Sequence, residues 1–173
     1  MPHNAALPSP ATDFPHIAAA GSPATEWQWS SFRELDSDTL YALLARRQQV
    51  FILEQRCLYP DIDALDQHAF HLLGWQMHGG ERTLVAYLRC VEPGMKYPEP
   101  SLGRVLTVDA VRGSGLGKAL LEQGIRHCEQ QFPGQQIRIS AQLYLERFYG
   151  EFGFRSCAQP YDEDGIAHVE MLR

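Results

Sequence analysis

A glycine-rich loop opens an apolar helical pattern at residues 111–121, which read VRGSGLGKALL. Backbone N–H groups at a helix N-terminus lack partners within the helix, and the helix dipole adds positive potential there. Glycines let such a backbone approach anionic oxygens closely. The loop therefore predicts a phosphate or diphosphate site, although a tight strand-to-helix turn without a ligand has the same appearance.

Three sequence patterns of phosphate-binding loops can be compared with this loop. A dinucleotide fingerprint, G-x-G-x-x-G, requires a third glycine where Lys118 stands. A P-loop, G-x-x-x-x-G-K-[ST], requires glycine at Arg112 and a hydroxyl residue at Ala119. Because neither pattern matches, a nucleotide-dependent oxidoreductase or kinase is disfavoured. The pattern [RQ]-x-x-G-x-G fits without adjustment, and its residues are Arg112, Gly113, Ser114, Gly115, Leu116 and Gly117.

The fitting pattern resembles the pyrophosphate loop of the GNAT family of acyl-CoA N-acyltransferases. YGEFGF at residues 149–154 resembles the second signature of this family, in which a Tyr stands four residues before a Gly-Phe pair. RQQVFILEQ at residues 47–55 resembles a first-helix pattern, R-x-x-V-F-x-x-E-Q. Together with YPDID, HLLGW and EDGIAHVEM, these segments are similar to the ElaA-like branch of the family over residues 27–173.

The resemblance implies an acetyl-CoA-dependent N-acetyltransferase in which a primary amine of an unidentified acceptor attacks the thioester carbonyl directly. A backbone N–H at a bulge near Leu106 would polarise the carbonyl. Tyr149 would protonate the leaving thiolate, because a phenol with a pKa of ~10 has a basicity similar to that of a thiolate. The alternative is a module that binds an acyl-CoA for sensing and does not turn it over.

The resemblance also implies where acetyl-CoA binds. Its diphosphate would contact the amides of residues 112–118, and its pantetheine arm would lie along residues 105–108 as an added strand. Gln142 occupies a place where the family often has Asn. The predicted cofactor-binding residues are Leu106, Thr107, Val108, Arg112, Gly113, Ser114, Gly115, Leu116, Gly117, Lys118 and Gln142.

Spacing does not mark the residue that deprotonates the amine. The candidates are Glu54, Asp61, Asp63, Asp66, His71 and His168. We interpret the three aspartates as a solvated acidic loop, and His71 as a buried histidine with satisfied hydrogen bonds. His68 and His71 do not predict a metal site, because side chains three apart on a strand point to opposite faces. We therefore expect no metal.

Arg47 interrupts the apolar stripe of the first helix. It could contact the acceptor, but a side chain that extends along the surface to place its charge in water is the favoured interpretation. Arg47, Glu54 and His71 are the candidate acceptor-binding residues.

Hydrophobic periodicity indicates the elements that would position these residues. The order of the elements predicts an α/β (α+β) fold with a mixed central sheet. The resemblance adds that this GNAT fold has about six to seven strands, splayed between the fourth and fifth, and about four flanking helices. The predicted helices cover residues 35–55, 115–132 and 143–153. The predicted strands cover residues 69–77, 83–91, 104–109 and 136–142 and two segments after residue 153.

Length and composition limit the class of protein. The chain has 173 residues, of which 45% are hydrophobic, as expected for one domain. Residues 1–25 are rich in Pro and Ala, so we expect a disordered tail before a domain at residues 26–173. A formal net charge of -6 argues against a nucleic-acid duplex as partner. No apolar run is long enough to span a membrane.

The four cysteines are widely spaced and form no C-x-x-C pair, and the N-terminus lacks the parts of a signal peptide. Both observations predict a cytoplasmic protein with reduced thiols. The expected partner is a small-molecule or peptide amine. The exposed edges of the predicted sheet would also allow a homodimer.

Overall fold

The computed structural model describes residues 23–56, 59–163 and 165–173. The expected tail at residues 1–25 lies almost wholly outside the described residues. The strands are β1 (Glu26–Ser31), β2 (Ala69–His78), β3 (Glu81–Val91), β4 (Ser101–Thr107), β5 (Arg138–Gln142), β6 (Arg155–Ser156), β7 (Tyr161–Glu163) and β8 (Ile166–Leu172). The α-helices are α1 (Ser37–Arg47), α2 (Leu116–Gln131) and α3 (Glu146–Gly150), and a π-helix (Gln48–Glu54) continues α1.

The described strands form one mixed sheet in the order β1-β2-β3-β4-β5-β8-β6, with β7 paired to β8. The β4–β5 pair is parallel and the others are antiparallel, which confirms the predicted mixed sheet. β1 is absent from the predicted order. Trp27 and Trp29 alternate with polar residues there, and this two-residue period is the signal that indicates such a strand.

The first predicted helix, residues 35–55, is an α-helix in its first part and a π-helix in its second. Asp36 caps α1, since its carboxylate accepts a hydrogen bond from the Thr39 amide at 2.7 Å. Beyond Arg47 the chain continues as a π-helix, in which the Gln55 amide donates to the Val50 carbonyl five residues back, at 3.1 Å. π-Helical turns are rare and frequently lie at functional sites.

Two hydrophobic clusters cover the two faces of the sheet. Successive residues on β2, Leu72 and Leu73, belong to different clusters, as do Tyr87 and Leu88 on β3. Side chains alternate along a strand, so the clusters lie on opposite faces. One cluster includes residues of α2 and α3, and the other includes residues of α1 and the π-helix.

The sheet splays between β4 and β5, as predicted. The two strands pair only at Ser101 with Arg138 and at Leu102 with Ile139. Just beyond this pairing, Arg104 and Val105 of β4 together oppose the single residue Leu88 of β3, which is a β-bulge. The bulge bends β4 away from β5 and opens a cleft between them.

Candidate active site

The cleft at the splay has a volume of about 910 Å³. That size is within the range of small-molecule sites in proteins. Its lining combines the π-helix, the bulged strand, α3 and the C-terminal strands. Among the residues predicted from sequence, the cleft is lined by Glu54, Asp63, Leu106, Thr107, Arg112, Gln142, Tyr149 and His168.

The glycine loop has the backbone geometry that its sequence predicts. Gly113 has a φ of 79° and Gly115 a φ of 87°, a left-handed conformation that glycine adopts without strain. Gly115 is the N-terminal cap of α2. Among the described residues, the amides of Gly113, Gly115 and Gly117 have no protein acceptor. The loop therefore presents unpaired N–H groups at a helix N-terminus, where an anion is favoured.

Gly117 shows that the loop also has room for a ligand. A Cβ atom placed on Gly117 would meet no atom within 4 Å, and the φ of this residue is not left-handed. Nothing in the described fold requires glycine at this position. The side chains of Val108 and Leu116 are buried, so only their backbone atoms could contact a ligand.

The two cationic side chains of the loop form ion pairs with glutamates. Arg112 donates to the Glu54 carboxylate at 2.6 Å and to the Thr107 carbonyl at 3.2 Å. Lys118 pairs with Glu151 at 2.7 Å, and both side chains are well exposed. Exposed ion pairs of this kind are weak, so both cations remain able to exchange a glutamate for another anion.

Tyr149 lies in α3 at the wall of the cleft and is buried. Its ring packs edge-on against Phe148 and Phe154. Burial, and then the neighbouring Tyr144, raise the pKa of Tyr149 to about 12. The phenol therefore keeps its proton at neutral pH and is available as a proton donor.

Arg47 is fully buried, so the prediction that its side chain extends to the surface is wrong. Its Nε donates to Asp61 Oδ2 at 2.8 Å, and its Nη1 donates to Asp66 Oδ1 at 2.5 Å. Its Nη2 donates to the Asp61 carbonyl at 2.6 Å. Helical periodicity identifies an arginine on an apolar face, but it does not show that a distant acidic loop folds over that face.

The interpretation of the three aspartates as a solvated loop is also wrong. Arg89 donates to both Asp63 oxygens at 2.7 and 2.6 Å and to Asp66 at 2.7 Å. Arg104 donates to Asp61 Oδ1 at 2.7 Å. We call this set the arginine–aspartate network; it consists of Arg47, Arg89, Arg104, Asp61, Asp63 and Asp66. Three guanidinium groups balance three carboxylates, as burial of charge requires.

The network supports the β-bulge. Arg104 has a φ of 52°, a left-handed conformation that is uncommon outside glycine. Its guanidinium also donates to the Asp61 carbonyl at 3.2 Å, so both the side chain and the backbone of Asp61 bind it. The bulge was expected near Leu106 and lies at Arg104 and Val105. No local pattern in the sequence marks Arg104.

His71 is the buried, satisfied histidine that its apolar strand predicts. Its Nε2 lies 3.0 Å from the Asp66 carbonyl, which can only accept, so Nε2 carries the proton. The Tyr87 hydroxyl then donates to Nδ1 at 2.8 Å. Burial lowers the pKa of His71 to about 4. Arg47 and His71 do not line the cleft, and the structure does not support either as an acceptor-binding residue.

The network should make the fold sensitive to acid. Burial alone would raise the pKa of Asp63, but the hydrogen bonds and charge of Arg89, helped by the Leu65 amide and Arg104, lower it to about 2. The stability that Asp63 contributes is therefore complete above the unfolded pKa of ~3.9 and is lost as the pH falls towards about 2.

We expect Asp63→Asn to melt below the wild type at neutral pH, and the gap between the two melting temperatures to close below about pH 4. Thermal unfolding followed by circular dichroism across this range measures the gap. A gap that stayed constant down to pH 2 would contradict the assignment of the lowered pKa to Asp63.

The described residues contain no group of three or more His, Cys, Asp or Glu side chains placed to hold a metal ion. None of the helices in the described residues is long and apolar enough to cross a bilayer.

Comparison with known proteins agrees with this geometry. The acetyltransferase (GNAT) domain family matches residues 62–173. A UPF0039 protein of Synechocystis is 42% identical over 146 residues, which cover 84% of this chain and 93% of that protein. Protein ElaA of Escherichia coli is 37% identical over 150 residues, covering 86% of this chain and 95% of ElaA.

Solved structures share the fold as well as the sequence. A crystal structure of an acyl-CoA N-acyltransferase from Pseudomonas aeruginosa superposes with a TM-score of 0.81 at 36% identity, covering 87% of this chain and 99% of that one. The crystal structure of E. coli ElaA gives a TM-score of 0.80 at 36% identity, with the same coverage. The sheet splayed at β4 and β5, the glycine loop and these relatives agree: the chain belongs to the GNAT family of acyltransferases and is homologous to the ElaA and UPF0039 proteins.

Proposed function

We propose that this protein is an acetyl-CoA-dependent N-acetyltransferase that transfers an acetyl group to a primary amine by direct attack on the thioester. The observation that carries the proposal is the position of Tyr149. A buried and protonated phenol lines the same cleft as the splayed strand β4 and the arginine of the glycine loop. A thioester carbonyl bound in the splay would thus have the Tyr149 hydroxyl on one side and open space for the incoming amine on the other.

The glycine loop fits the diphosphate of acetyl-CoA. Its three unpaired amides offer hydrogen bonds, the open space at Gly117 accommodates the phosphate oxygens, and Arg112 and Lys118 add positive charge. Leu106 and Thr107, the last two residues of β4, line the cleft. An extended, amide-rich pantetheine arm could pair with that strand where β5 has diverged from it.

The chemistry follows from these positions. The amine nitrogen attacks the carbonyl carbon and forms the C–N bond, and the oxyanion that develops accepts hydrogen bonds from backbone N–H groups that the bulge removes from the sheet ladder. The nitrogen loses a proton to a base, the C–S bond breaks, and Tyr149 donates its proton to the leaving thiolate. The products are the acetylated amine and CoA.

Gly117 allows a test of the diphosphate site. In Gly117→Asp, the new carboxylate would lie at the helix N-terminus, where it favours the fold but repels a diphosphate. We expect the melting temperature without ligand to be unchanged or slightly raised, and the affinity for acetyl-CoA to fall by at least about tenfold. Thermal-shift titrations with acetyl-CoA, CoA, NADH and ATP measure both effects.

Gly117→Asn is the matched control, because it has the same size without the charge. It should retain more acetyl-CoA affinity than Gly117→Asp. Equal affinities of the two variants would show that no anion binds at the loop. A wild-type shift with NADH or ATP and none with CoA would reject the proposal.

Turnover requires an acceptor. We expect CoA release from acetyl-CoA, followed with a thiol reagent, in the presence of at least one primary amine from a panel of a polyamine, an amino-acid amide, an aminoglycoside and a peptide with a free N-terminus. Saturable acetyl-CoA binding without thiol release from any amine would favour the acyl-CoA-binding module instead.

A further inference from the structure

His168 lies on β8 at the wall of the cleft, and its side chain is 14% exposed. Its Nδ1 is 2.8 Å from the Ile166 carbonyl. A carbonyl oxygen can only accept, so Nδ1 carries the proton of the neutral ring. The lone pair of that ring is therefore on Nε2. Within the part of the chain that the structure describes, Nε2 of His168 has no hydrogen-bond partner.

The other candidate bases are already engaged. Asp61, Asp63 and Asp66 each accept hydrogen bonds from arginines. Glu54 is paired with Arg112 at 2.6 Å. His71 uses both of its ring nitrogens inside the protein. Of the candidates from the sequence, His168 is the one that lines the cleft and is not paired with an arginine.

The acid and this base approach the splay from opposite faces of the sheet. Val169 and Met171 lie in the hydrophobic cluster that includes Tyr149 of α3. His168 directly precedes Val169 on β8, so its side chain points to the other face. This arrangement suits acyl transfer, in which the acid and the base must reach separate atoms, because the thiolate and the amine nitrogen occupy different positions around the tetrahedral carbon.

We propose that His168 is the catalytic base that receives the proton of the acceptor amine. As the C–N bond forms, Nε2 takes the proton that the amine nitrogen loses. As the C–S bond breaks, Tyr149 protonates the thiolate. The imidazolium then returns its proton to solvent, and Tyr149 regains one from solvent. This inference rests on the proposed function and adds the base that the reaction needs.

Charged and titratable groups lie both next to His168 and elsewhere in the cleft. Glu163 on β7 lies 3.9 Å from Nδ1, and the ring of Tyr161 is 6.2 Å from the imidazole. Glu163 accepts a hydrogen bond from Ser140 at 3.2 Å. The same cleft is also lined by other charged or titratable residues, namely Glu54, Tyr59, Asp63, Arg89, Lys96, Tyr97, Arg104, Arg112, Tyr144 and Tyr149. Glu163 would stabilise the imidazolium that forms during transfer.

The first test is kinetic and uses the most active amine of the panel. We expect His168→Gln to lower kcat by about 100-fold or more, with the acetyl-CoA affinity unchanged. Added imidazole should restore part of the activity of His168→Ala, an effect that a structural role does not produce.

His68→Gln is the matched control, since His68 is exposed and does not line the cleft. It should leave the rate and the pH profile unchanged. A His168→Gln enzyme within about threefold of the wild type would overturn the proposal, since a general base contributes far more.

The second test requires no acceptor. Nitrogen-15 NMR of the histidine rings should show the proton of neutral His168 on Nδ1, with Nε2 unprotonated and sensitive to acetyl-CoA binding. A proton on Nε2 would overturn the assignment even if no amine of the panel reacts. An absence of acetyl-CoA binding would count against the proposed function itself, which separates the two failures.

Discussion

Replacing Tyr149 by Phe should lower the rate of acetyl transfer by about 100-fold or more and leave acetyl-CoA binding intact. Phe keeps the ring that packs against Phe148 and Phe154, so the wall of the cleft should not change. Only the proton for the leaving thiolate is lost. Thiol release at saturating acetyl-CoA measures the rate, and the thermal shift measures binding.

The pH dependence separates this role from a packing role. With a pKa raised to about 12, Tyr149 remains protonated through neutral and mildly alkaline pH. The wild-type kcat should therefore not decline on the alkaline side until the pH approaches that value. An alkaline decline that set in near pH 8 and was missing from Tyr149→Phe would show that the phenol is far more acidic than its burial implies.

Tyr144→Phe is the control for the hydroxyl. Tyr144 lines the same cleft but is 74% exposed. Removing the Tyr144 hydroxyl should change kcat by less than about threefold, because this hydroxyl transfers no proton in the proposed reaction. If both variants were equally active, Tyr149 would have no catalytic role, and the acyl-CoA-binding module would be favoured.

Replacing Arg47 by Met should destabilise the fold by about 3–5 kcal/mol, because it leaves buried carboxylates without their countercharge. Asp61 would lose its partner on Oδ2, and Asp66 would lose one of its two arginines. For a domain of this size the melting temperature should fall by roughly 10 °C. Urea or thermal unfolding of the purified variant measures the change.

Arg126→Met is the matched control, since Arg126 is exposed and donates to Gln123 on the same helix. The same chemical change there should alter stability by no more than about 0.5 kcal/mol. Arg47→Lys should lie between the two, because one ammonium group cannot reproduce the fork that bridges two carboxylates. Equal stability of Arg47→Met and the wild type would mean that the network does not stabilise the fold.

Local patterns in the sequence determined much of this protein. Some features depend only on neighbours within a few residues, so the sequence alone shows them. They are the cap at Asp36, the glycine loop at residues 113–117 and the apolar runs of β2 and β3. The order of these elements predicts the mixed sheet, and the family resemblance supplied the splay. The resemblance also implied Tyr149 as the candidate acid, from its distance to a Gly-Phe pair.

The tertiary structure decided what the charged residues do. Arg47 and Asp61 are 14 residues apart, and Arg104 and Asp61 are 43 residues apart, so no local pattern links them. His71 and His168 both lie on strands, and the sequence indicates burial of His71 but not which ring nitrogens of either histidine have partners. In the fold, both ring nitrogens of His71 form hydrogen bonds, with Asp66 and Tyr87. Only Nδ1 of His168 does so, with a backbone carbonyl. The protonation and availability of a side chain depend on atoms that only folding brings into contact.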